Sequence, residues 1–149
     1  MAARTTPYGA FNFIVNIDGQ EAFGGFSDVS GLSTDITVAE YRNGNERENH
    51  VRKVPGMHKV SDVTLKRGIV NSTDLWSWVN DVRQNGPSAK RTVVVTMLDE
   101  ARKPVMAWSL SRVFPMKYSG PTMAAKGGGD VAMEELVLSV EGLEFEQVA

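Results

Sequence analysis

The chain has 149 residues, sixteen Lys and Arg against eighteen Asp and Glu for a net charge of −2, and no cysteine. Without cysteine there is no disulfide framework, thiolate nucleophile or Cys-ligated zinc site. The near-neutral balance argues against a domain that holds nucleic acid by neutralising phosphates, although it leaves room for a conduit through which DNA slides. A chain of this length forms one domain, burying roughly 70% of the surface its unfolded form exposes.

Met1 to Phe13 carries one basic residue and breaks at Pro7 and Gly9, unlike a signal peptide. The longest apolar stretch, Val93 to Leu98, is interrupted by Thr96 and falls far below the roughly 20 residues of a membrane span. The expectation is a soluble protein made in the cytoplasm, with no membrane binding by this chain alone.

In chain order, Phe11, Phe13, Val15 and Ile17 alternate with polar residues as in a half-buried strand, and Asp18-Gly19 supplies its turn. A returning strand follows from Gln20 to Phe26. Ser27-Asp28 and Ser30-Gly31 punctuate, and alternation resumes at Leu32, Thr34, Ile36 and Val38. From Arg42 to His58 the composition is too polar and irregular for a periodic element, and Pro55-Gly56 reads as a turn, so an exposed loop of functional length is expected over about 42–58. Val63 to Arg67 forms the next strand.

One helix is predicted over about 72–85: Asn71, Ser72 and Thr73 offer N-caps, and Leu75, Trp78, Val79 and Val82 share one apolar face. Gly86-Pro87 stops it. Trp76 borders that face, where it packs against the sheet edge or a neighbouring chain. Arg91 to Leu98 is β-branched and nearly continuous in apolar character, as in a strand covered on both faces. Met106, Trp108, Leu110 and Phe114 then alternate with small polar residues, which places Trp108 in the core.

Gly127-Gly128-Gly129 marks a flexible connection before a last strand over Glu134 to Val148. Leu136, Leu138 and Val140 occupy even positions and Leu143 and Phe145 odd ones, so a bulge near Gly142 re-aims the apolar face and two sheets share the strand. The reading is a mainly β fold of about seven antiparallel strands in a two-sheet barrel or sandwich, with one short flanking helix, over a single domain 1–149.

No catalytic constellation emerges. His50 and His58 lie in the polar stretch without ligand spacing around them, and the glycine run lacks the Lys-Ser/Thr of a phosphate loop. Glu134-Glu135 are strand neighbours that point to opposite faces, with solvation as their ordinary role. No serine has a G-x-S-x-G setting. The expectation is a non-enzyme without metal or cofactor.

Several segments, read in order, resemble the tail tube protein family of contractile phages, which also supplies inner tubes of extracellular contractile injection systems. They are Phe11-Asn12-Phe13, Phe26 to Leu32 (FSDVSGL), Val54-Pro55-Gly56, Val63 to Gly68 (VTLKRG), Leu75-Trp76-Ser77-Trp78, Trp108, Phe114 to Tyr118 (FPMKY) and Glu134 to Leu138 (EELVL). The resemblance implies a two-sheet barrel-like subunit that assembles as stacked hexameric rings inside a contractile sheath. Baseplate and tube-terminating proteins are implied partners, with DNA or protein cargo in the lumen. It also suggests that the polar stretch stacks one ring on the next. Arg42, Arg47, Arg52 and Lys53 interspersed with Glu40, Glu46 and Glu48 suit such a contact, because opposite charges fix register without net repulsion. A monomeric β-barrel ligand-binding module is the alternative reading, distinguished by a mass that stays at one chain.

Overall fold

A computed structural model describes residues 6–21, 25–45, 47, 48, 50–70, 73–125, 127 and 131–148. The described residues form strands β1 (Phe13–Ile17), β2 (Gln20–Glu21), β3 (Asp28–Ser30), β4 (Thr34–Tyr41), β5 (Arg52–Val60) and β6 (Val63–Gly68). Helix α1 (Asp74–Asn85) and a 3-10 turn (Gly86–Ala89) lead into β7 (Arg91–Leu98), β8 (Pro104–Ser119), β9 (Met133–Ser139) and β10 (Gly142–Gln147). All pairings are antiparallel. The main sheet runs β2-β1-β7-β8-β9-β6-β3 with β10 also on β8, and β4-β5 stands apart as a two-stranded sheet. Among the described residues the fold is mainly β with one short α-helix, and its sheets do not close into a barrel.

Strand β8 is long enough to serve both halves of the sandwich. Its first half, Met106 to Ser111, lies between β7 and β10, and its second half, Phe114 to Ser119, pairs with β9. Between them one extra residue enters β8, and Arg112 takes φ 52°, a left-handed conformation uncommon outside glycine. The bulge reverses parity: Leu110 faces the core before it, Val113 and Pro115 after it. Phe114, expected on the same face as Leu110, is therefore turned outward under the Lys90 ammonium. The anticipated switch near Gly142 is found as well, but as a break between β9 and β10, so the last segment serves both halves as two strands.

The core lies between these halves. Val15, Val93, Val95 and Leu110 come from one, Val63, Leu65, Leu136 and Leu138 from the other, and Leu75 and Trp78 of α1 close the side. Val79 and Val82 pack against this cluster as half-buried residues. Trp108 does not belong to it. Its ring stands in register with Val95, on the inner face, but β8 there runs past the cover of the opposite half, leaving Trp108 half-buried against Phe145 with ring centroids 5.0 Å apart.

Other local expectations are corrected by pairing. The returning strand is Gln20–Glu21 only, its continuation at 22–24 lying outside the described residues. Asp28–Ser30, read as punctuation, forms β3 on the edge of β6. Gly31 follows it at φ 91°, with Asp62 O where a Cβ would stand, at 2.2 Å, so only glycine fits this turn. Helix α1 starts at Asp74; Thr73 is its N-cap without a side-chain bond, and Asn71 and Ser72 lie outside the described residues.

The polar stretch is the largest correction. Only its first part is a connection; Arg52–Val60 forms a nine-residue strand, with Pro55-Gly56 inside it opposite the β4 irregularity. Its polarity hid it because no face of β4-β5 is buried by this chain: every residue of both strands is exposed except Val60. β4 still alternates at Ile36 and Val38 although exposed, whereas β5 carries no alternation, so only β4 reads as a strand in the sequence.

Candidate assembly surfaces

The β4-β5 hairpin is held by its own ladder and by its base. Thr34 stands opposite Val60, Ile36 opposite His58, Val38 opposite Pro55, Glu40 opposite Lys53 and Tyr41 opposite Arg52. At the base the Ser33 hydroxyl donates to Ser61 Oγ at 2.7 Å. A two-stranded hairpin alone is marginal in water. This one also exposes Ile36, Val38, Tyr41, Val54 and Met57, the last to 83%, which a free surface hairpin has no reason to carry.

Of the seven charged residues named for stacking, Arg52 and Lys53 open β5, and Lys53 faces Glu40 of β4 across the ladder. Arg42, Arg47 and Glu48 sit in the connection at the hairpin's far end, where Arg42 Nε donates to the Glu48 carbonyl at 3.2 Å and Glu48 Oε2 lies 3.0 Å from His50 Nδ1. Glu46 lies outside the described residues. The fold thus gathers the six described charges onto the outer end of the hairpin, away from the core. Among the described residues the sheet edges are open too: β2, β3 and β10 each pair on one side only.

One cluster of functional weight is missing from the sequence reading. Arg67, 1% exposed, is ion-paired with Glu134 on β9 and with Asp74 at the start of α1. The Tyr118 hydroxyl donates to the other Glu134 oxygen at 2.6 Å, and the guanidinium stands 5.7 Å from the Phe26 ring. Glu134 is therefore buried and paired, not solvated. The signal was present: Arg67 follows Val63 and Leu65, and Glu134 precedes Leu136 and Leu138, each charge on the buried parity of its strand, with opposite signs. The pair ties α1 to the β6-β9-β8 seam through Asp74, whose Oδ1 also accepts the Leu75 N–H at 2.9 Å. Trp76 lies against Tyr118 edge-on at 5.6 Å, has the Arg83 guanidinium 6.0 Å from its ring and remains 43% exposed, so it packs on the sheet edge.

The hydrogen bond to Glu134, then burial and the carboxylate charge, push the Tyr118 hydroxyl up to about 12 from 10.0. A folded pKa above the unfolded value means that the folded state holds its proton longer, so this contribution is complete below pH 10 and is lost as pH rises through 12. Stability should fall over that window more steeply in the parent than in Tyr118→Phe. Chemical denaturation at stepped alkaline pH measures it, and equal slopes would contradict the assignment.

Among the described residues no three His, Asp or Glu side chains are grouped to hold a metal ion, and no helix is long and apolar enough to cross a membrane.

The described residues thus form an open-edged antiparallel sandwich with a flanking helix and an apolar hairpin left exposed by this chain. Residues 9–144 match the family profile of the T4-like virus tail tube protein gp19, and the chain belongs to that family. Among solved structures it is similar to a chain of an extracellular contractile injection system, a PVC sheath-tube complex in the extended state. Identity is 26% over 97% of this chain and 94% of that one, with a TM-score of 0.85. A PVC sheath/tube terminator in the extended state gives 26% identity over 97% and 99%, with a TM-score of 0.84. A chain of the 6-fold symmetrised baseplate of the anti-feeding prophage shares the fold at 24% identity over 97% and 99%, with a TM-score of 0.82. No curated protein matches the chain by sequence at a significant level.

Proposed function

We propose that the chain is a structural, non-catalytic subunit of the inner tube of a contractile phage tail or injection system. Copies close into hexameric rings, and the rings stack around a lumen that conducts DNA or protein cargo. The observation that carries this reading is the β4-β5 hairpin, exposed on both faces yet rich in large apolar residues, in a chain of the tail tube family. Open sheet edges invite pairing with another chain, and a closed ring removes them. Six-fold closure is supported by the symmetry of the similar baseplate structure. The sheath-tube and terminator relatives support a contractile sheath, a baseplate and tube-terminating proteins as partners.

Roughly 24 strands, four from each of six copies, spaced about 4.8 Å and tilted about 40°, make a wall of roughly 150 Å circumference and about 48 Å backbone diameter. Inward side chains leave a lumen of about 40 Å, wide enough for duplex DNA or a small folded protein with a radius of gyration of about 13 Å.

Ring stacking is assigned to Arg42, Arg47, Glu48, Arg52 and Lys53 at the charged end of the hairpin, together with Glu46, which lies outside the described residues. Stacking is a head-to-tail contact that propagates until its geometry fails, so weakening it shortens tubes without opening rings. Arg47→Glu with Arg52→Glu should give isolated rings or short stacks by electron microscopy at physiological salt. Tubes of parental length would remove these charges from the stacking contact.

A further inference from the structure

Asparagine followed by glycine is the least durable side-chain amide in a polypeptide at neutral pH, because glycine has no Cβ to keep its backbone nitrogen away from the preceding side chain. The chain holds two such pairs, Asn43-Gly44 and Asn85-Gly86. The fold treats them differently. Asn85 ends α1: its side-chain amide donates to Asp81 Oδ1, and the Gly86 N–H is engaged by the Val82 carbonyl. Gly86 also takes φ 59°, where glycine is favoured, so this pair serves the helix end.

Asn43-Gly44 lies just past the end of β4, where Asn43 is half-buried and Gly44 exposed. Gly44 keeps a φ outside the left-handed region, and a Cβ added to it meets nothing within 4 Å, so the backbone does not require glycine at this position. Among the described residues no hydrogen bond holds its N–H. The Tyr41 hydroxyl donates to Asn43 Oδ1. That bond draws electron density from the side-chain carbonyl carbon and stands where negative charge develops when a nucleophile adds to it. An open nitrogen thus follows directly on a polarised carbonyl.

We propose that Asn43 is a site of spontaneous deamidation in the folded chain, with the Gly44 nitrogen as nucleophile and the Tyr41 hydroxyl as donor to the oxyanion. The Gly44 nitrogen gives its proton to solvent base and attacks Asn43 Cγ. The amide nitrogen takes up a proton and leaves as ammonia, which closes a succinimide ring. Water then opens the ring: breaking the bond from the Gly44 nitrogen to Cγ gives aspartate, and breaking its bond to the backbone carbonyl carbon gives isoaspartate. One water is consumed and one ammonia released, with no change in oxidation state. Each event adds a negative charge next to Arg42 in sequence, and the isoaspartate route lengthens the main chain by a methylene. The reaction needs only the single chain.

The second Asn-Gly pair is a control inside the same molecule. The purified chain is held at mildly alkaline pH and physiological temperature, and its peptides are followed over time by tandem mass spectrometry. The product is heavier by the difference between a hydroxyl and an amino group, and isoaspartate elutes apart from aspartate. Asn43 should convert steadily while Asn85 keeps its amide. Gly44→Ala, for which the space is open, should lose nearly all of the conversion. Tyr41→Phe should slow it by roughly two- to tenfold, the rate equivalent of one hydrogen bond. In urea both pairs should convert at similar rates, since the helix end that guards Asn85 is gone. An Asn43 that stays intact in the folded parent, an Asn85 that converts as fast beside it, or a Gly44→Ala chain that converts like the parent overturns the proposal. Parental rates in Tyr41→Phe overturn the part given to Tyr41, and an Asn85 that stays intact in urea overturns the part given to the helix end.

Discussion

Trp78→Ala is expected to cost about 3–5 kcal/mol of folding stability, the range for truncating a buried aromatic. The side chain is 1% exposed at the centre of the packing between α1 and the sheets. Its Nε1–H donates to the Ala89 carbonyl at 3.0 Å, and the Arg91 guanidinium stands 5.1 Å from its ring. Alanine leaves a cavity, an unpaired carbonyl beside the buried Ala89 and a cation without its aromatic face. A domain with a typical stability of about 5–15 kcal/mol loses a large part of it. Urea denaturation should show a lower midpoint, and assembly should fail because folded subunits are scarce. Trp78→Phe separates the terms, keeping most of the volume and losing only the hydrogen bond, at about 1–3 kcal/mol. A Trp78→Ala chain that melts like the parent but does not assemble would make Trp78 an interface residue and contradict its place in the core.

Arg67→Ala should be as damaging, for an electrostatic reason. Removing the cation leaves Glu134, 6% exposed, as an uncompensated buried charge, and breaking such a pair from one side costs about 3–5 kcal/mol. The loss also releases Asp74 and with it the start of α1, so helical ellipticity should decline at lower denaturant than in the parent. Arg67→Met with Glu134→Leu removes both charges and fills the space with apolar atoms; it should recover most of the stability, because desolvating two ions offsets much of their attraction. A small loss in the single variant, below about 1 kcal/mol, would place the pair in the class of solvent-screened bridges and contradict its burial.

The parts of the fold that this chain buries by itself were legible in its sequence. Val63 to Arg67 and the Leu75-Trp78-Val79-Val82 stripe each show the period of an element with one covered face, and the structure places them as expected; Arg91 to Leu98, read as covered on both faces, is a strand buried at Val93, Val95 and Leu98, with Val94 and Thr96 half-buried between them. The hairpin was not legible beyond β4, because the face of β5 has no cover within the chain and its alternation carries no record of one. Trp108 was placed on the correct face and credited with too much burial, since parity gives direction and says nothing of whether another layer lies opposite. The Arg112 bulge left no glycine or proline to mark it, so Phe114 was assigned to the wrong face. The Arg67-Glu134 pair was passed over because a charge on a buried parity looks like a surface charge until its partner strand is known.

The misread features fall together. Hairpin, Trp108 and the groove that Trp108 lines all lie where this chain leaves apolar surface uncovered by its own packing.

The most direct measurement is sedimentation of the purified chain from micromolar to near-millimolar concentration, with electron microscopy of the heaviest fraction and with chelator present throughout. Rings or tubes should form without nucleotide, metal or DNA, since sheet edges and hairpin supply the contacts. A chain that remains a monomer across that range in several buffers would contradict the account.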